Sequence, residues 1–382
     1  MNRIKFEHLH AFMSDLLVGY GFPERQSSVI ADVLVTADFR GVLSHGCSRM
    51  ATYYVPLIKE GIINTTTEPI LLQSSSFYDL YDANKGSGMY TSYVAIQKLM
   101  QKVRKSGFAI GSVTNSTHFG MAGYYSLMVA REGLIGITFT NGAPAVVAPG
   151  GDSPFLGTNA ISIGIPKLDE QPVLIDVALS SSSLGELLHA SEEGRQIPRE
   201  WCSTALTNVL GLHSNQIDPD IPFKQRAINP LGAGSPSTER KGFLISLLFE
   251  LSVSLIFGGD FSFSQRVGEA SHFFIVINPF VLEKECVFHS KLETLIQRIK
   301  QYNVMEGYPD LRVPGENGHT RELMNRMEGI MLSVNTINAL IEIAQQVNVR
   351  TPEEFQLTGN RSAPIPPDGL STFVGADGTR VP

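Results

Sequence analysis

The densest chemistry in the sequence lies between Asp38 and Arg49, in the segment Asp-Phe-Arg-Gly-Val-Leu-Ser-His-Gly-Cys-Ser-Arg. Its histidine, His45, is of the residue type best able to give or take a proton near neutral pH. Arg49 follows four residues later, and a guanidinium can hold a carboxylate through two parallel hydrogen bonds. The pattern fits proton transfer to or from a small carboxylic acid. The structural alternative is that the Ser44-His45-Gly46 turn only caps a helix.

A second histidine, His118, stands in the polar segment Asn115–Gly120, whose small and hydrogen-bonding residues suit a loop that reaches a ligand. The alternative is a histidine that satisfies loop carbonyls. Two further segments, Thr140-Asn141-Gly142 and Leu156-Gly157-Thr158-Asn159, are turn-like and could serve a ligand or close a hairpin.

Lys241-Gly242 precedes an apolar run that extends to Phe257 and is interrupted by Glu250. The run predicts a buried helix that is too short to cross a bilayer. A lysine at the start of that helix would be a phosphate or ribose anchor, because helix N-termini favour anions. An ordinary solvated lysine is the alternative.

Hydrophobic periodicity predicts helices and strands that alternate along much of the chain. The predicted helices are a hairpin over Phe6–Asp38, then Ser48–Lys59, Ser92–Ser106, Ala122–Glu132, Lys241–Phe257, Leu282–Gln301 and Asn335–Gln346. The predicted strands are Gly107–Val113, Ile135–Thr140, Ala160–Ile165, Val173–Val177 and His272–Asn278. Prolines between Ser180 and Lys241 predict one short helix and long loops there. This alternation indicates an α/β protein.

Composition and motifs exclude several classes of protein. A formal net charge of -7 gives no field that would collect nucleic acid or anionic lipid. No G-x-G-x-x-G follows a strand, so a Rossmann domain is not expected, and G-x-x-x-x-G-K-[ST], H-E-x-x-H and G-x-S-x-G are absent. The three cysteines are too scattered for a disulfide framework or a metal site, which favours a reducing, cytoplasmic location.

The order of these segments resembles the malate/L-lactate dehydrogenase family of the non-Rossmann type, over roughly residues 3 to 345. That family includes ureidoglycolate and sulfolactate dehydrogenases and diketogulonate and piperideine-carboxylate reductases. The matching blocks are Asp38–Arg49, Asn115–Tyr125, Thr140-Asn141, Leu156–Asn159 with Ile163–Pro166, Ile175-Asp176, Lys241-Gly242, His272–Ile275 and Pro314–Glu316. The resemblance implies an α/β (α+β) fold like that of L-sulfolactate dehydrogenase, with a helical N-terminal domain and a mixed-sheet cofactor domain.

The resemblance also implies roles for individual residues. His45 or His118 would exchange the proton with the substrate, and Arg49 would hold its carboxylate. NAD or NADP would be bound by residues of four segments: Thr140, Asn141 and Gly142; Leu174, Ile175, Asp176, Val177, Ala178, Leu179 and Ser180; Lys241 and Gly242; and Gly315, Glu316 and Asn317. No metal is implied. Active sites shared between two subunits would make the protein an obligate homodimer.

Three segments depart from the family pattern. Gly185-Glu186 replaces a Gly-Lys pair, so an anion stands where the family has a cation. Glu200–Thr204 replaces a Gly-Trp-Ala-x-Asp segment, and Thr238–Gly242 replaces Gly-Gly-Tyr-Lys-Gly. These changes predict altered cofactor affinity or specificity.

The expected organisation is a helical N-terminal domain over residues 1–75, a cofactor domain over 76–280, C-terminal helices over 281–350 that pack on the first domain, and a mobile tail over 351–382. The expected function is NAD(P)-dependent hydride transfer to a small 2-oxo acid or from a 2-hydroxy acid. Two alternatives remain: reduction of a cyclic imine such as piperideine-2-carboxylate, and a non-catalytic homologue retained for binding or assembly.

Overall fold

The computed structural model describes residues 3–168, 171–203, 206–207, 214–225 and 227–355. Most of the predicted tail, residues 356–382, lies outside the described residues. The helices are α1 (Phe6–Gly19), α2 (Glu24–Phe39), α3 (Val55–Lys59), α4 (Gly88–Ser106), α5 (Ala122–Arg131), α6 (Leu184–Glu192), α7 (Asp220–Gln225), α8 (Pro236–Leu251), α9 (Glu285–Lys300), α10 (Glu316–Glu328) and α11 (Val334–Gln346). Within the described residues, no helix is long and apolar enough to span a membrane.

The strands are β1 (Ile70–Ser74), β2 (Tyr78–Asp82), β3 (Phe108–Thr117), β4 (Ile135–Gly142), β5 (Val146–Val147), β6 (Pro154–Leu156), β7 (Ile161–Ile165), β8 (Val173–Val177), β9 (Ile197–Pro198), β10 (Gln216–Ile217) and β11 (Glu269–Ile277). Seven of them form one sheet in the order β1-β2-β3-β11-β4-β7-β8. The pair β2–β3 is parallel and the other pairs of that sheet are antiparallel, so the predicted mixed sheet is confirmed.

Strand β11 is covered on both faces, which explains why its sequence is apolar at consecutive positions from Phe273 to Ile277. Phe274 and Val276 face a core that contains residues of α4 and α5, whereas Phe273 packs on the other face with Phe139 and Val253. Successive side chains of a strand point to opposite faces, so a strand covered on both faces needs apolar residues at consecutive positions.

The N-terminal helices form a separate core, as the resemblance implied. Residues of α1 and α2 pack there with residues of α11, and Phe355 stacks edge-on against Phe12 at 5.2 Å between ring centroids. Backbone hydrogen bonds between Ile4 and Ile330, at 2.9 and 3.0 Å, join the two ends of this core. The segment that carries His45 follows α2 directly and is therefore anchored to this helical core.

The predicted helix Lys241–Phe257 is wrong in its start and in its burial. Helix α8 begins at Pro236, where Ser235 caps it by accepting a hydrogen bond from the Thr238 N–H group, so Lys241 lies inside the helix rather than at its N-terminus. The helix is not buried all round, because Leu244 and Leu248 are 55% and 60% exposed. A π-helical turn over Ser252–Ile256 follows it.

Other elements were not foreseen from periodicity. Gly315 precedes α10, and Glu316 and Asn317 form its first turn. Strands β1 and β2 were missed, and the predicted helix Ser48–Lys59 is a π-helical turn over Met50–Tyr54 followed by α3. In the described parts of the proline-rich region between Ser180 and Lys241, where one short helix is expected, both α6 and α7 are present.

Candidate active site

An open cleft lies where the loop after α2 meets the ends of β3, β4 and β8 and the start of α6, and its cavity volume is about 360 Å³. This volume lies within the 300–1,000 Å³ typical of small-molecule sites. The sequence-predicted residues that line it are His45, Arg49, His118, Thr140, Asn141, Gly142, Asp176, Val177 and Ala178. Segments more than a hundred residues apart in the chain thus meet in one place.

The His45 turn is built on a buried carboxylate at the end of α2. Asp38 accepts a hydrogen bond from the Cys47 N–H group at 2.8 Å through Oδ2. A Cβ atom on Gly46 would lie 1.7 Å from Asp38 Oδ1, so only glycine lets the turn close over this carboxylate. Burial raises the pKa of Asp38 to about 6, although the Cys47 hydrogen bond opposes the rise. The sequence placed Asp38 in the right segment but gave no sign that it supports the turn.

The two predicted histidines lie side by side. The ring centroids of His45 and His118 are 5.6 Å apart, and their planes differ by 24°. The Nδ1 atom of His45 is 2.9 Å from the Ser44 hydroxyl. The Nδ1 atom of His118 is 2.8 Å from the Tyr54 hydroxyl and 3.2 Å from the Gly120 nitrogen. Each ring is therefore held through Nδ1.

Both rings are neutral at pH 7. Burial, with the charge of Arg49 adding to it, lowers the pKa of His45 to about 4. Burial likewise lowers the pKa of His118 well below its ordinary value, and the neighbouring His45 and Arg49 lower it further. An anion bound beside Arg49 would offset that positive charge and shift the pKa of both rings upward.

Arg49 is placed to receive such an anion. Its guanidinium carbon lies 4.6 Å from the centroid of the Tyr53 ring, a cation–π arrangement that fixes the plane of the group. Within the described parts of the chain, no carboxylate lies within salt-bridge distance of Arg49. A charged guanidinium on the wall of a cleft, beside two imidazoles, suits the carboxylate of a small acid.

A third histidine, His272, braces the floor of the site from β11. Its Nδ1 atom is 2.8 Å from the Thr140 hydroxyl, and its Nε2 atom is 3.0 Å from the Thr117 carbonyl oxygen. Its ring stacks on Phe119 with 4.2 Å between centroids. Burial lowers its pKa to about 3, although the bond to Thr117 opposes the change, so the ring stays neutral. The sequence places His272 at the start of a strand and in a block that matches the family, but it assigns the residue no role in the site.

Glu250, which looked like an interruption of an apolar run, organises the wall near β4. It is 1% exposed and accepts hydrogen bonds from the Ser262 N–H group at 2.5 Å, the Ser262 hydroxyl at 2.7 Å and the Asn159 amide at 2.9 Å. The Asn141 amide donates to Glu250 and to the Asp260 carbonyl, and its oxygen accepts from Gln265. The side chain of Asn141 is thus hydrogen-bonded within the protein, and mainly its backbone faces the cleft.

The opposite wall carries two acidic residues. Asp176, at the end of β8, accepts a hydrogen bond from the Gly123 N–H group at 2.9 Å in the first turn of α5. Glu186, the anion that replaces a lysine of the family pattern, pairs with Arg195 at 2.7 Å. This partner offsets the charge of Glu186 within the same chain.

The remaining predicted cofactor residues do not line this cleft of the single chain: Leu174, Ile175, Leu179, Ser180, Lys241, Gly242, Gly315, Glu316 and Asn317. Two glycines among them have a packing explanation. A Cβ atom on Gly242 would lie 1.7 Å from the Leu231 carbonyl oxygen, and one on Gly315, at φ +89°, would lie 2.9 Å from the Leu174 nitrogen. Lys241 is exposed on α8.

The fold and site together define a mixed-sheet oxidoreductase with paired imidazoles and a guanidinium in one cleft. The family model for malate/L-lactate dehydrogenase matches residues 4–341, and the chain belongs to that family. It is 31% identical to a malate dehydrogenase of Pyrococcus abyssi, over 91% of this chain and 96% of the relative.

Two solved structures are similar throughout their length. The malate dehydrogenase of Entamoeba histolytica superposes with a TM-score of 0.85 at 29% identity, covering 92% of this chain and 99% of that one. The sulfolactate dehydrogenase of Methanocaldococcus jannaschii gives a TM-score of 0.79 at 27% identity, covering 91% and 98%. The expected sulfolactate dehydrogenase-like fold is therefore confirmed.

Proposed function

We propose that the protein transfers a hydride between NAD or NADP and a small 2-oxo or 2-hydroxy acid. The observation that carries the proposal is the meeting of His45, His118 and Arg49 on one wall of a cleft. A proton carrier and a carboxylate-binding cation at one place are what this reaction requires of a protein.

Arg49 would hold the substrate carboxylate and thereby fix which face of the 2-carbon is presented. Because both imidazoles are neutral, the free site is ready to remove the proton of a 2-hydroxy group. When a carboxylate binds beside Arg49, the raised imidazole pKa values favour proton donation in the reverse direction. One site can thus work in both directions.

The residues present fit a nicotinamide dinucleotide, which when bound would supply the hydride acceptor or donor at its C4 atom. Gly142 leaves its backbone accessible, since a Cβ atom there would meet nothing closer than the Glu269 carbonyl at 3.7 Å. The Oδ1 atom of Asn159, in the same wall, is buried without a hydrogen-bond partner within the described residues. The first turns of α5 and α6 also border the cleft, although the Asp176 carboxylate already accepts a hydrogen bond from Gly123 in the first of them and Glu186 stands in the second.

A homodimer with shared sites is part of the proposal. Leu244, Leu248, Leu251 and Leu255 recur at helical spacing along α8 and the turn after it, and they are 39% to 65% exposed. Contiguous apolar surface of this kind mostly marks an interface. A second copy seated on α8 would bring Lys241, which stands on the same helix, near the other chain's cleft.

The experiment is a screen of 2-oxo acids and cyclic imines with NADH and NADPH, combined with a fluorescence titration of each nucleotide. Turnover of a 2-oxo acid supports the proposal. Turnover of a cyclic imine alone would move the assignment to imine reduction, and nucleotide binding without any turnover would indicate a non-catalytic homologue.

A further inference from the structure

The hydrogen bonds of His118 determine which of its nitrogens carries the proton. A backbone N–H group can only donate, so the contact of 3.2 Å from the Gly120 nitrogen requires Nδ1 to accept. The buried Tyr54 hydroxyl, 2.8 Å away, stays protonated because burial raises its pKa, and it donates to the same atom. The neutral ring of His118 therefore carries its hydrogen on Nε2.

The same contacts oppose the charged form of His118. Protonating Nδ1 would point its new hydrogen at the Gly120 N–H group, which cannot turn to accept it. The titratable and charged groups nearest the ring are His45, Arg49, His272, Tyr53 and Tyr54, and none of them is a carboxylate. Each carboxylate that lines the cleft has a partner of its own: Glu269 pairs with Arg266, Glu186 with Arg195, and Asp176 accepts a hydrogen bond from the Gly123 N–H group.

His45 has a different kind of partner. Its Nδ1 atom meets the Ser44 hydroxyl at 2.9 Å, and a hydroxyl can either donate or accept. When His45 is protonated on both nitrogens, the Ser44 oxygen accepts from Nδ1. His45 can therefore gain and lose a proton without leaving a group unpaired.

We propose that His45 carries the transferred proton, that His118 remains neutral and donates one hydrogen bond from Nε2 to the reacting oxygen, and that Tyr54 is the positioning residue that maintains this state. The proposal rests on the proposed function. During oxidation the hydroxyl proton passes to Nε2 of His45, and the O–H electron pair forms the carbonyl π bond. The C2 hydrogen leaves with its two electrons to the oxidised nicotinamide.

The first test needs neither cofactor nor substrate. In the full chain with nitrogen-15-labelled histidine, NMR should show the His118 ring as the Nε2–H tautomer, with no titration from about pH 5 to about pH 8. The signal is assigned by its loss in His118→Gln. A His118 ring protonated on Nδ1, or one that titrates in that range, overturns the proposal. In the Tyr54→Phe variant, Nδ1 of His118 loses one of its two donors, so the spectrum should show a fraction of the Nδ1–H tautomer.

The second test compares variants that keep or remove the donor. Glutamine at position 118 offers an N–H group near Nε2, so His118→Gln should lose no more than about tenfold in kcat, whereas His118→Leu and His45→Gln should each lose about a hundredfold or more. Equal losses for His118→Gln and His118→Leu would contradict the assigned role. If the wild-type protein turns over no 2-oxo acid, the proposed function fails while the NMR result still decides the tautomer. The wild-type spectrum also decides it if a variant does not fold.

Discussion

Replacing Glu322 by glutamine should destabilise the protein strongly, because this residue ties the helical core to the sheet. Its carboxylate, on α10, accepts a hydrogen bond from Arg40 at 2.6 Å, and both side chains are nearly buried, at 5% and 2% exposed. Arg131 and Arg326 approach the same carboxylate at 3.3 and 3.2 Å but are 46% and 40% exposed. Arg40 directly follows α2, so the pair also fixes the start of the His45 segment.

The size of the effect follows from burial. Removing one partner of a buried ion pair leaves an uncompensated charge and costs about 3–5 kcal/mol. Glutamine keeps the shape and one accepting oxygen, so we expect the lower end, about 3 kcal/mol. The exposed pairs with Arg131 and Arg326 add about 0–1 kcal/mol each.

Urea unfolding followed by circular dichroism of the helices measures this loss. The control is Glu328→Gln, the same change on the same helix, because Glu328 pairs with Arg3 at 3.2 Å with both side chains about half exposed. The control should change stability by less than about 1 kcal/mol. If both variants lose the same amount of stability, burial of the Arg40–Glu322 pair is not the source of its effect.

The pH dependence of stability tests the direction of the pKa shift of Glu322. Burial alone would raise the pKa of Glu322, but the charges of Arg131 and Arg40 outweigh it and leave the pKa below its ordinary value. Its contribution is therefore complete above the ordinary carboxylate range and is lost as the pH falls through the lowered pKa. The difference in free energy of unfolding between wild type and Glu322→Gln should therefore shrink as the pH falls through the lowered pKa of Glu322.

The remaining predictions concern activity and assembly. Arg49→Lys should raise KM for a 2-oxo acid, because lysine lacks the planar guanidinium that binds a carboxylate through two hydrogen bonds. KM for an analogue with an amide in place of the carboxylate should not rise to the same extent. For oxidation, kcat/KM should stay level as the pH falls to about 5 and decline as His45 is protonated near its pKa of about 4; an inflection near the ordinary histidine value contradicts this. Leu248→Glu should turn a dimer into monomers in sedimentation, unless α8 is not the interface. Co-folding His45→Ala with Lys241→Ala chains should restore part of the activity if one site draws those residues from two chains.

Periodicity was a good guide to elements that are covered on one face. Helices α1 and α2 have apolar stripes at helical spacing, and the hairpin they form was predicted to within a residue or two. Strand β1 has no periodic signal because Ile70–Ser74 lies exposed at the edge of the sheet and does not alternate in burial, whereas β2 does alternate between buried and half-buried residues. The apolar run after Lys241 predicts a buried helix. The sequence does not distinguish residues that the protein's own core covers from residues that another chain would cover, because both are equally hydrophobic.

The site was predictable where one residue type carries the chemistry. An imidazole and a guanidinium stand out in a sequence, so His45, His118 and Arg49 could be chosen. The residues that hold them could not, because Glu250, His272 and Asp38 act through contacts across more than a hundred residues or through burial that only the fold creates. Lys241 was misplaced for a simpler reason: Ser235 and Pro236, a good helix start, precede it by five residues.

The central claim is that this cleft passes a hydride between the nicotinamide C4 atom and the 2-carbon of a small acid. The most direct measurement uses NADH and NADPH deuterated at C4, each with a 2-oxo acid that the screen finds active, and mass spectrometry of the product. We predict that the 2-hydroxy acid carries one deuterium at C2 for one stereochemical form of the labelled nucleotide and none for the other. A product without deuterium from either form, while the nucleotide is oxidised, would contradict direct transfer in this site.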